Sequence, residues 1–522
     1  MKTSAPHRRI GIDLGTTASA AAWLDPAGRV VVLDNAEGGS TTPSAVCFAE
    51  AVPIVGREAV RSLRHHPEDV VRFAKRDMAD DGRRFVCGGK SLSAEAVQSY
   101  VLTKVRADAR RRLGGDVESA VITVPAFFNE IKRRATIAAA EMAGLKVAGL
   151  ISEPTAAALA WSYRRGGEDA LAETTDRHVL VYDLGGGTFD VSLVRLRPNR
   201  VDVVAVDGNA RLGGVDWDSR IVDWMTENAA NGSDPTVVDS IRPTLMFEAE
   251  QIKQSLTLRR SVPVRIREDG FSVDATLTRD VFERRTAALL DRTRFTTASV
   301  LKSAGMDATE LDRILLVGGS SRMPQVARML RQRFGVTVDD SLPPDTAVAS
   351  GAAVYAGLEL YHRDVEHLPS DDRSAVTEVH DVSAHDLGIL GREKSSGRKV
   401  RAVLIPRHTT LPAEVRKRYV TALDDQRSIQ ITVVEGGNRA AAGAQPVGAF
   451  TVTDLPSGLP RGTAVDVGVR YDRDGLLTVA ARVPAADREA SIRVQRPIPT
   501  VAPEHAEEID EFWESLELDF DN

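Results

Sequence analysis

Val179–Val194 reads VLVYDLGGGTFDVSLV, and its reading decides the fold. An apolar run ends at Asp183. Gly185, Gly186 and Gly187 follow, then Thr188, Asp190 and a second apolar alternation. The pattern predicts a β-hairpin whose turn is bare backbone. Glycine lets a ligand approach the main chain closely, and exposed N–H groups beside a threonine hydroxyl suit a phosphate. Asp183, at a strand end, suits a hydrated metal ion. A glycine-rich turn is by itself an ordinary hairpin device. This one carries more weight because the chain contains it twice. Arg9–Trp23 reads RIGIDLGTTASAAAW, with Asp13 in the frame of Asp183 and Gly15, Thr16 and Thr17 at the turn. Two such hairpins predict two similar lobes facing each other. Nucleotide phosphates would lie between them, with Asp13 and Asp183 holding one Mg²⁺ through water, since Mg²⁺ takes few direct carboxylates.

A chain of 522 residues is too long for one core, so roughly two to four domains are expected. The 43% hydrophobic content supports globular folding. No apolar run reaches membrane-spanning length, and MKTSAPHRRIGID lacks a signal-peptide core, so no membrane association is expected. Cys47 and Cys87 are the only cysteines, which excludes a disulfide scaffold and suggests a reducing, cytoplasmic setting. Net charge is −7, yet residues 498–522 hold nine acids and no Lys or Arg. The remainder is nearly balanced, which argues against nucleic acid as a partner.

TTPSAVCFAE reads as strand. A helical region is expected after it, including VVRFAKRDM (70–78), where Lys75 has the spacing of an ordinary surface lysine. Val121–Val124 is a short strand ending at Pro125. A helix is expected from an Asn129 cap to a stop at Gly144, and another opens at Glu153-Pro154. Glu153 either caps that helix or aims into the cleft. RLGGVDWD supplies the pair Gly213-Gly214. In FEAEQIKQSLT, Glu250, Lys253 and Thr257 make one polar stripe, a solvated face or a nucleoside-holding one. ILLVGGSSRMP is a strand, the turn Gly318-Gly319 and a helix opened by Pro324; it lacks the P-loop spacing. PDTAVASGAAVYAG is a small-residue helix suited to close packing.

Composition changes near residue 364. The expected organisation is a nucleotide-binding domain at 1–363, a linker at 364–382, an antiparallel β domain at 383–497 and an acidic tail at 498–522. In the β domain Ile429, Ile431 and Val433 alternate, as do Val465–Tyr471 and Leu477–Ala481, with Ile492 and Val494 extending the set. In the tail Ile509, Phe512, Trp513 and Leu516 fall at helical spacing, which predicts a short amphipathic helix or else a frayed acidic end.

These motifs resemble the seventy-kilodalton heat-shock chaperones of the DnaK type, up to about residue 497. The matching stretches are GIDLGTT, VPAFFNEIKRRAT, EPTAAALAW, VYDLGGGTFDVSL, LGGVDWDSR, ILLVGGSSRMP, PDTAVASGAAV and VLIPRHTTLP. The resemblance implies an actin-like, sugar-kinase-like α/β ATPase domain of two duplicated lobes, followed by a β-sandwich peptide-binding domain. It implies ATP/ADP and Mg²⁺ as cofactors, with K⁺ in addition. Asp13 and Asp183 then order Mg²⁺ through water, and Gly15, Thr16, Thr17, Gly185–Gly187 and Thr188 cradle phosphate. Lys75, in its FAKR context, matches the catalytic lysine, and Glu153 the carboxylate near the attacking water. Gly213, Gly214, Glu250, Lys253, Thr257, Gly318, Gly319, Ser320, Arg322 and Asp345 match the nucleotide-holding set, with Gln254 where several members carry arginine. Pro125, Arg133 and Asp381 match the interdomain relay. Ile389, Tyr419, Ala422, Ile429 and Ile431 match a groove for extended apolar peptides; the alternative is β-sandwich core, which Ile431 fits as well as the groove and Ile429 fits less well.

The sequence departs from the family in its linker, where AVTEVHD places Glu378 and His380 among few apolar residues. A linker that docks by burying apolar surface, at about 25 cal/mol per Å², is expected to dock more weakly here. Only 25 residues follow the β domain, so the helical lid is expected to be missing, and the chain ends LDFDN rather than EEVD. GREKSSGRK after Ile389 makes a long basic loop. The resemblance implies an ATP-dependent chaperone acting on unfolded polypeptides, with J-domain and exchange-factor partners. A regulatory protein with one dedicated partner and a phosphotransferase on the same fold are the alternatives. The first is motivated by the linker and the lid; the second is opposed by the appended β domain.

Overall fold

The computed structural model describes residues 8–164, 176–197, 200–230, 234–268, 270–365, 378–393, 395–493 and 516–518. Most of the expected linker, Val494 and most of the acidic tail lie outside them. The chain forms two compact units. One comprises Met1–Phe127 and Ala135–Val379, the other Phe128–Arg134 and His380–Asn522. No helix among the described residues is long and apolar enough to cross a membrane.

The first unit is built on two sheets of one plan. In the first, β1 (Arg8–Asp13) and β2 (Ala18–Leu24) form an antiparallel hairpin, and β3 (Val30–Val32) extends it. The short β4 (Thr42–Pro43) also pairs with β2. On the other side β5 (Val117–Val124) runs parallel to β1, and β6 (Lys146–Ser152) parallel to β5. In the second sheet, β7 (Arg177–Leu184), β8 (Phe189–Arg197) and β9 (Arg200–Asn209) form the antiparallel meander. Parallel to β7 lies β10 (Arg313–Val317), and beside it β11 (Val338–Asp339). Each sheet thus has a hairpin at its centre and parallel strands on one flank, the duplication that the two glycine turns predict. The parallel strands carry buried apolar runs, Ala120–Ile122, Leu150–Ile151 and Ile314–Val317, as strands covered on both faces do.

The small-residue helix, Ala347–Val365, explains its own composition. A Cβ on Gly351 would strike the Ala156 carbonyl, and one on Gly11 would strike the backbone of Ala353. Two helices and a strand therefore meet at backbone distance, where only glycine and alanine fit. Asn129 caps its helix (Glu130–Met142) as expected, its Oδ1 accepting from Lys132 N at 3.1 Å.

Three expectations need correction. Val70–Met78 is not helical: Val70–Arg72 is a strand paired with Ala45–Cys47, and Ala74–Asp77 is one turn of 3₁₀ helix. The β-branched valines favour the ladder, and Phe73 at φ 63° breaks helix continuity. The expected tail helix reached Leu516, but Leu516–Leu518 is a strand. Leu516, Glu517, Leu518 and Asp519 alternate apolar and acidic, the period of a strand; residues 509–515 lie outside the described residues. Finally, Glu378–His380, within the expected linker, forms β12 at the edge of the second sheet, beside β9. A β ladder is made by main-chain groups, so Glu378 and His380 do not prevent it.

The second unit is antiparallel. β13 (Leu387–Glu393), β14 (Lys399–Ile405), β16 (Ile429–Glu435) and β17 (Gln445–Val452) form one set; β15 (Ala413–Thr421), β18 (Ala464–Tyr471), β19 (Leu477–Val483) and β20 (Arg488–Arg493) form another. The strand Leu516–Leu518, β21, lies between β13 and β15 and joins the two sets into one sheet. Both sets supply a single apolar cluster, including Leu387, Ile389, Ile431, Val465, Val467 and Val479.

Candidate functional site

The glycines of the second hairpin's turn pack against the threonine side chains of the first. A Cβ on Gly186 would strike Thr17, one on Gly187 would strike Thr16, and one on Gly213 would lie 2.6 Å from the backbone of Gly187. Main-chain bonds hold this arrangement. Gly185 N donates to Thr188 O at 3.1 Å, Gly214 N to Gly185 O at 3.0 Å and Val215 N to Gly186 O at 2.8 Å. On the first hairpin Ser44 Oγ donates to Gly15 O at 2.8 Å. Gly318, at φ 77°, sits where a Cβ would lie 2.5 Å from Asp183 Oδ1.

Beside these turns lies a cavity of about 620 Å³, within the usual range for small-molecule sites. Its lining includes Asp13, Gly15, Thr16, Thr17, Lys75, Glu153, Asp183, Gly185, Gly186 and Thr188, together with Glu250, Lys253, Thr257, Gly318, Gly319, Ser320, Arg322 and Asp345. Gly187, Gly213 and Gly214 do not line it; they lie behind the wall, where the turns pack on one another.

The floor is acidic. Lys75 is 1% exposed and its Nζ donates to Glu153 Oε1 at 2.6 Å. Asp13, at the end of β1, accepts from Thr123 Oγ1 at 3.2 Å. Asp183 and Asp190 stand directly opposite each other on the β7–β8 hairpin. Burial, with repulsion from Glu153 next, pushes Asp13 up to about 7 and raises Asp183 well above the usual carboxylate range. The same two causes push Asp190 up to about 8. Three buried carboxylates, Glu153, Asp183 and Asp190, and the half-buried Asp13 thus surround one lysine, an excess of negative charge that a poorly solvated site tolerates only with protons or a cation.

The remaining charged groups of the lining are paired. The helix Arg242–Leu258 carries the predicted stripe: Lys253 Nζ donates to Asp218 Oδ2 at 2.8 Å and to Gly214 O at 3.1 Å, and Thr257 Oγ1 to Lys253 O at 3.3 Å. Arg72 Nη2 donates to Glu250 Oε2 at 2.6 Å. Arg322 pairs with Asp345. Sequence reasoning missed Asp190, Arg72, Arg76, Thr123 and Asp218. Arg76 reaches Gly187 O at 3.0 Å and Asp216 Oδ2 at 2.5 Å. For Asp190 a signal existed: a four-residue turn, Gly185–Thr188, places it opposite Asp183.

Other predicted residues lie away from the cavity. Pro125 follows β5, buried Arg133 donates to Phe128 O at 3.2 Å, and Asp381 O accepts from Leu411 N at 2.8 Å. Ile389, Ile429 and Ile431 are fully buried in the apolar cluster of the second unit, Tyr419 is nearly so, and Ala422 follows β15.

Comparison with known proteins places this geometry in a lineage. The family model described as Hsp70 protein matches residues 9–87 and 80–518. The chain is 35% identical over 496 residues to chaperone protein DnaK of Thermotoga neapolitana, a match covering 93% of this chain and 80% of the relative. It is 35% identical over 495 residues to chaperone protein DnaK of Thermosipho africanus, covering 93% and 79%. Against chaperone protein DnaK of Thermosipho melanesiensis identity is 34% over 495 residues, covering 93% and 80%. With the family model spanning both units, the chain belongs to the Hsp70 protein family.

Proposed function

We propose that the chain is a DnaK-type chaperone: an ATPase whose nucleotide state sets its hold on exposed apolar segments of unfolded polypeptides. The observation that carries the catalytic half is the meeting of Asp13, Glu153, Asp183 and Lys75 in one cavity beside two glycine–threonine turns. The donor set fits Mg²⁺, because its all-oxygen carboxylates carry more negative charge than Lys75 balances. Bound Mg²⁺ would supply neutralisation of phosphate charge. Asp13 and Asp183 would hold it through water, with Asp190 adding negative charge behind them; K⁺ suits the same oxygens. The backbone of Gly15–Thr17 and of Gly185, Gly186 and Thr188 would orient ATP or ADP phosphates, with Gly187 behind them shaping the turn. Lys75 would fix the terminal phosphate, and Glu153, held by Lys75, would orient the attacking water. No covalent intermediate is needed; positioning and charge neutralisation suffice. Glu250, Lys253, Thr257, Ser320, Arg322 and Asp345 would hold the nucleoside.

In this reading residues 1–363 are the ATPase domain, 364–382 the linker with Asp381 at its end, and 383–497 a β-sandwich. Its peptide groove would be bounded by Ile389, Tyr419, Ala422, Ile429 and Ile431. The partners are unfolded chains, a J-domain co-chaperone and an exchange factor, in the cytoplasm. The test is steady-state ATP hydrolysis with and without an unfolded apolar peptide, with Lys75→Ala as the blank. Stimulation by peptide supports the reading. Hydrolysis that persists in Lys75→Ala overturns the catalytic assignment.

A further inference from the structure

The strand β21, Leu516–Leu518, is held on both sides. Along the end of β13 it runs parallel, Arg392 pairing with Glu517 and Glu393 with Leu518. Along the end of β15 it runs antiparallel, Val420 pairing with Glu517 and Thr421 with Leu516. Among the described residues no ladder joins β13 to β15 directly; β21 alone links the two four-stranded sets. Without it, the ends of β13 and β15 present two facing main-chain edges about two strand spacings apart, roughly 10 Å. Such a slot admits one extended segment by strand addition. The charge pattern matches its occupant. Arg392, Arg398 and Lys399 outnumber Glu393 between the middle of β13 and the start of β14, and Arg416, Lys417 and Arg418 outnumber Glu414 on β15, whereas the last 25 residues hold nine acids and no Lys or Arg.

We propose that Leu516–Leu518 is an internal ligand: the chain's own C-terminal segment occupies this slot and competes there with incoming polypeptide. The inference rests on reading the second unit as a peptide-binding domain, whose expected groove residues Tyr419 and Ala422 adjoin the paired Val420 and Thr421 and whose Ile389 lies earlier on β13. Self-occupancy sets a threshold, so that only segments matching the slot better than Leu-Glu-Leu displace the tail. A tethered segment competes at an effective concentration on the order of 1 mM. With an intrinsic Kd of about 0.1 mM, it weakens apparent peptide affinity about tenfold.

The test is a titration of a fluorescent unfolded apolar peptide against three proteins: the full chain, the chain without residues 498–522, and the full-length double variant Leu516→Asp/Leu518→Asp. The expected result is about tenfold tighter binding to both variants than to the parent. Equal affinity across all three overturns the inference. If none of the three binds the apolar peptide, the chaperone reading fails, and the inference is decided separately. For that, a labelled peptide of residues 509–522 is titrated against the chain lacking 498–522. Binding that is lost when both leucines are aspartate supports an internal ligand. No binding, or equal binding of the aspartate version, overturns it.

Discussion

Lys75 and Glu153 come from distant elements, a 3₁₀ turn and a helix start, and meet at 2.6 Å as a buried pair in the cavity wall. The pair orients both groups: the lysine cannot swing to solvent, and the carboxylate keeps one oxygen toward the cavity. Lys75→Ala is therefore expected to lower ATP turnover by at least about 100-fold, the scale of a lost transition-state stabiliser, while nucleotide affinity changes only a few-fold; single-turnover kinetics and nucleotide titration separate the two. The buried aspartates make a pH prediction. Their ordinary value is 3.8, whereas Asp13 lies at about 7 and Asp190 at about 8, burial being the main cause and Glu153 the second. The folded, ligand-free chain thus binds these protons more firmly than the unfolded chain does. That stability is fully present below about pH 4 and is lost as pH rises through about 7 to 8. A divalent cation must displace the same protons. The rise in thermal midpoint given by Mg²⁺ with nucleotide is expected to grow from pH 6 to pH 8; a flat or falling response would show the acids already ionised before the cation arrives.

At the scale of elements, the two hairpin turns were legible in the sequence because each motif is local: an apolar run, an acid, a turn of small residues, an apolar run. The small-residue helix was legible for the same reason. Asp190 was not singled out, because its role depends on facing Asp183 across the ladder. Arg72 and Arg76 were hidden too, since their partners Glu250 and Asp216 are remote in sequence and no periodicity announces them. The Val70–Arg72 segment was misread as helix because its pairing partner, Ala45–Cys47, is supplied by tertiary contact. The close approach of the turns is itself testable. Gly186→Ala puts a methyl into Thr17 and must push the hairpins apart, so nucleotide affinity is expected to fall by about 10- to 100-fold, some 1.4 to 2.7 kcal/mol, by calorimetric titration with circular dichroism unchanged. In the second unit, fully buried Ile429 packs in the cluster shared by both strand sets. Ile429→Ala is expected to cost the second unit about 2–5 kcal/mol in urea unfolding, with nucleotide affinity unaltered; a wild-type midpoint would place that side chain outside the load of the core.

Across the whole molecule the question is how one unit hears the other. The sequence offered a discouraging answer, because Glu378 and His380 replace the apolar residues by which the family's linker buries surface. The structure gives the segment a different grip: as β12 it adds to the edge of the second sheet beside β9, and that sheet's central hairpin carries Asp183 and the glycine turn. A ladder depends on main-chain N–H and C=O groups rather than on side-chain hydrophobicity, so it survives the change in composition. It also carries a distinct vulnerability. Proline lacks an N–H and fixes φ at about −65°, which distorts a three-residue strand at its centre, whereas leucine-to-polar changes leave a ladder's bonds in place. Val379→Pro, at the centre of β12, is therefore expected to abolish stimulation of ATP hydrolysis by an unfolded apolar peptide while leaving the basal rate within about twofold, whereas Glu378→Gln, which alters only the side chain, keeps the stimulation. The measurement is the ratio of stimulated to basal turnover in the two variants. Loss in both would mean that the Glu378 side chain, not the ladder, carries the signal, and retention in both would mean that coupling bypasses β12 altogether.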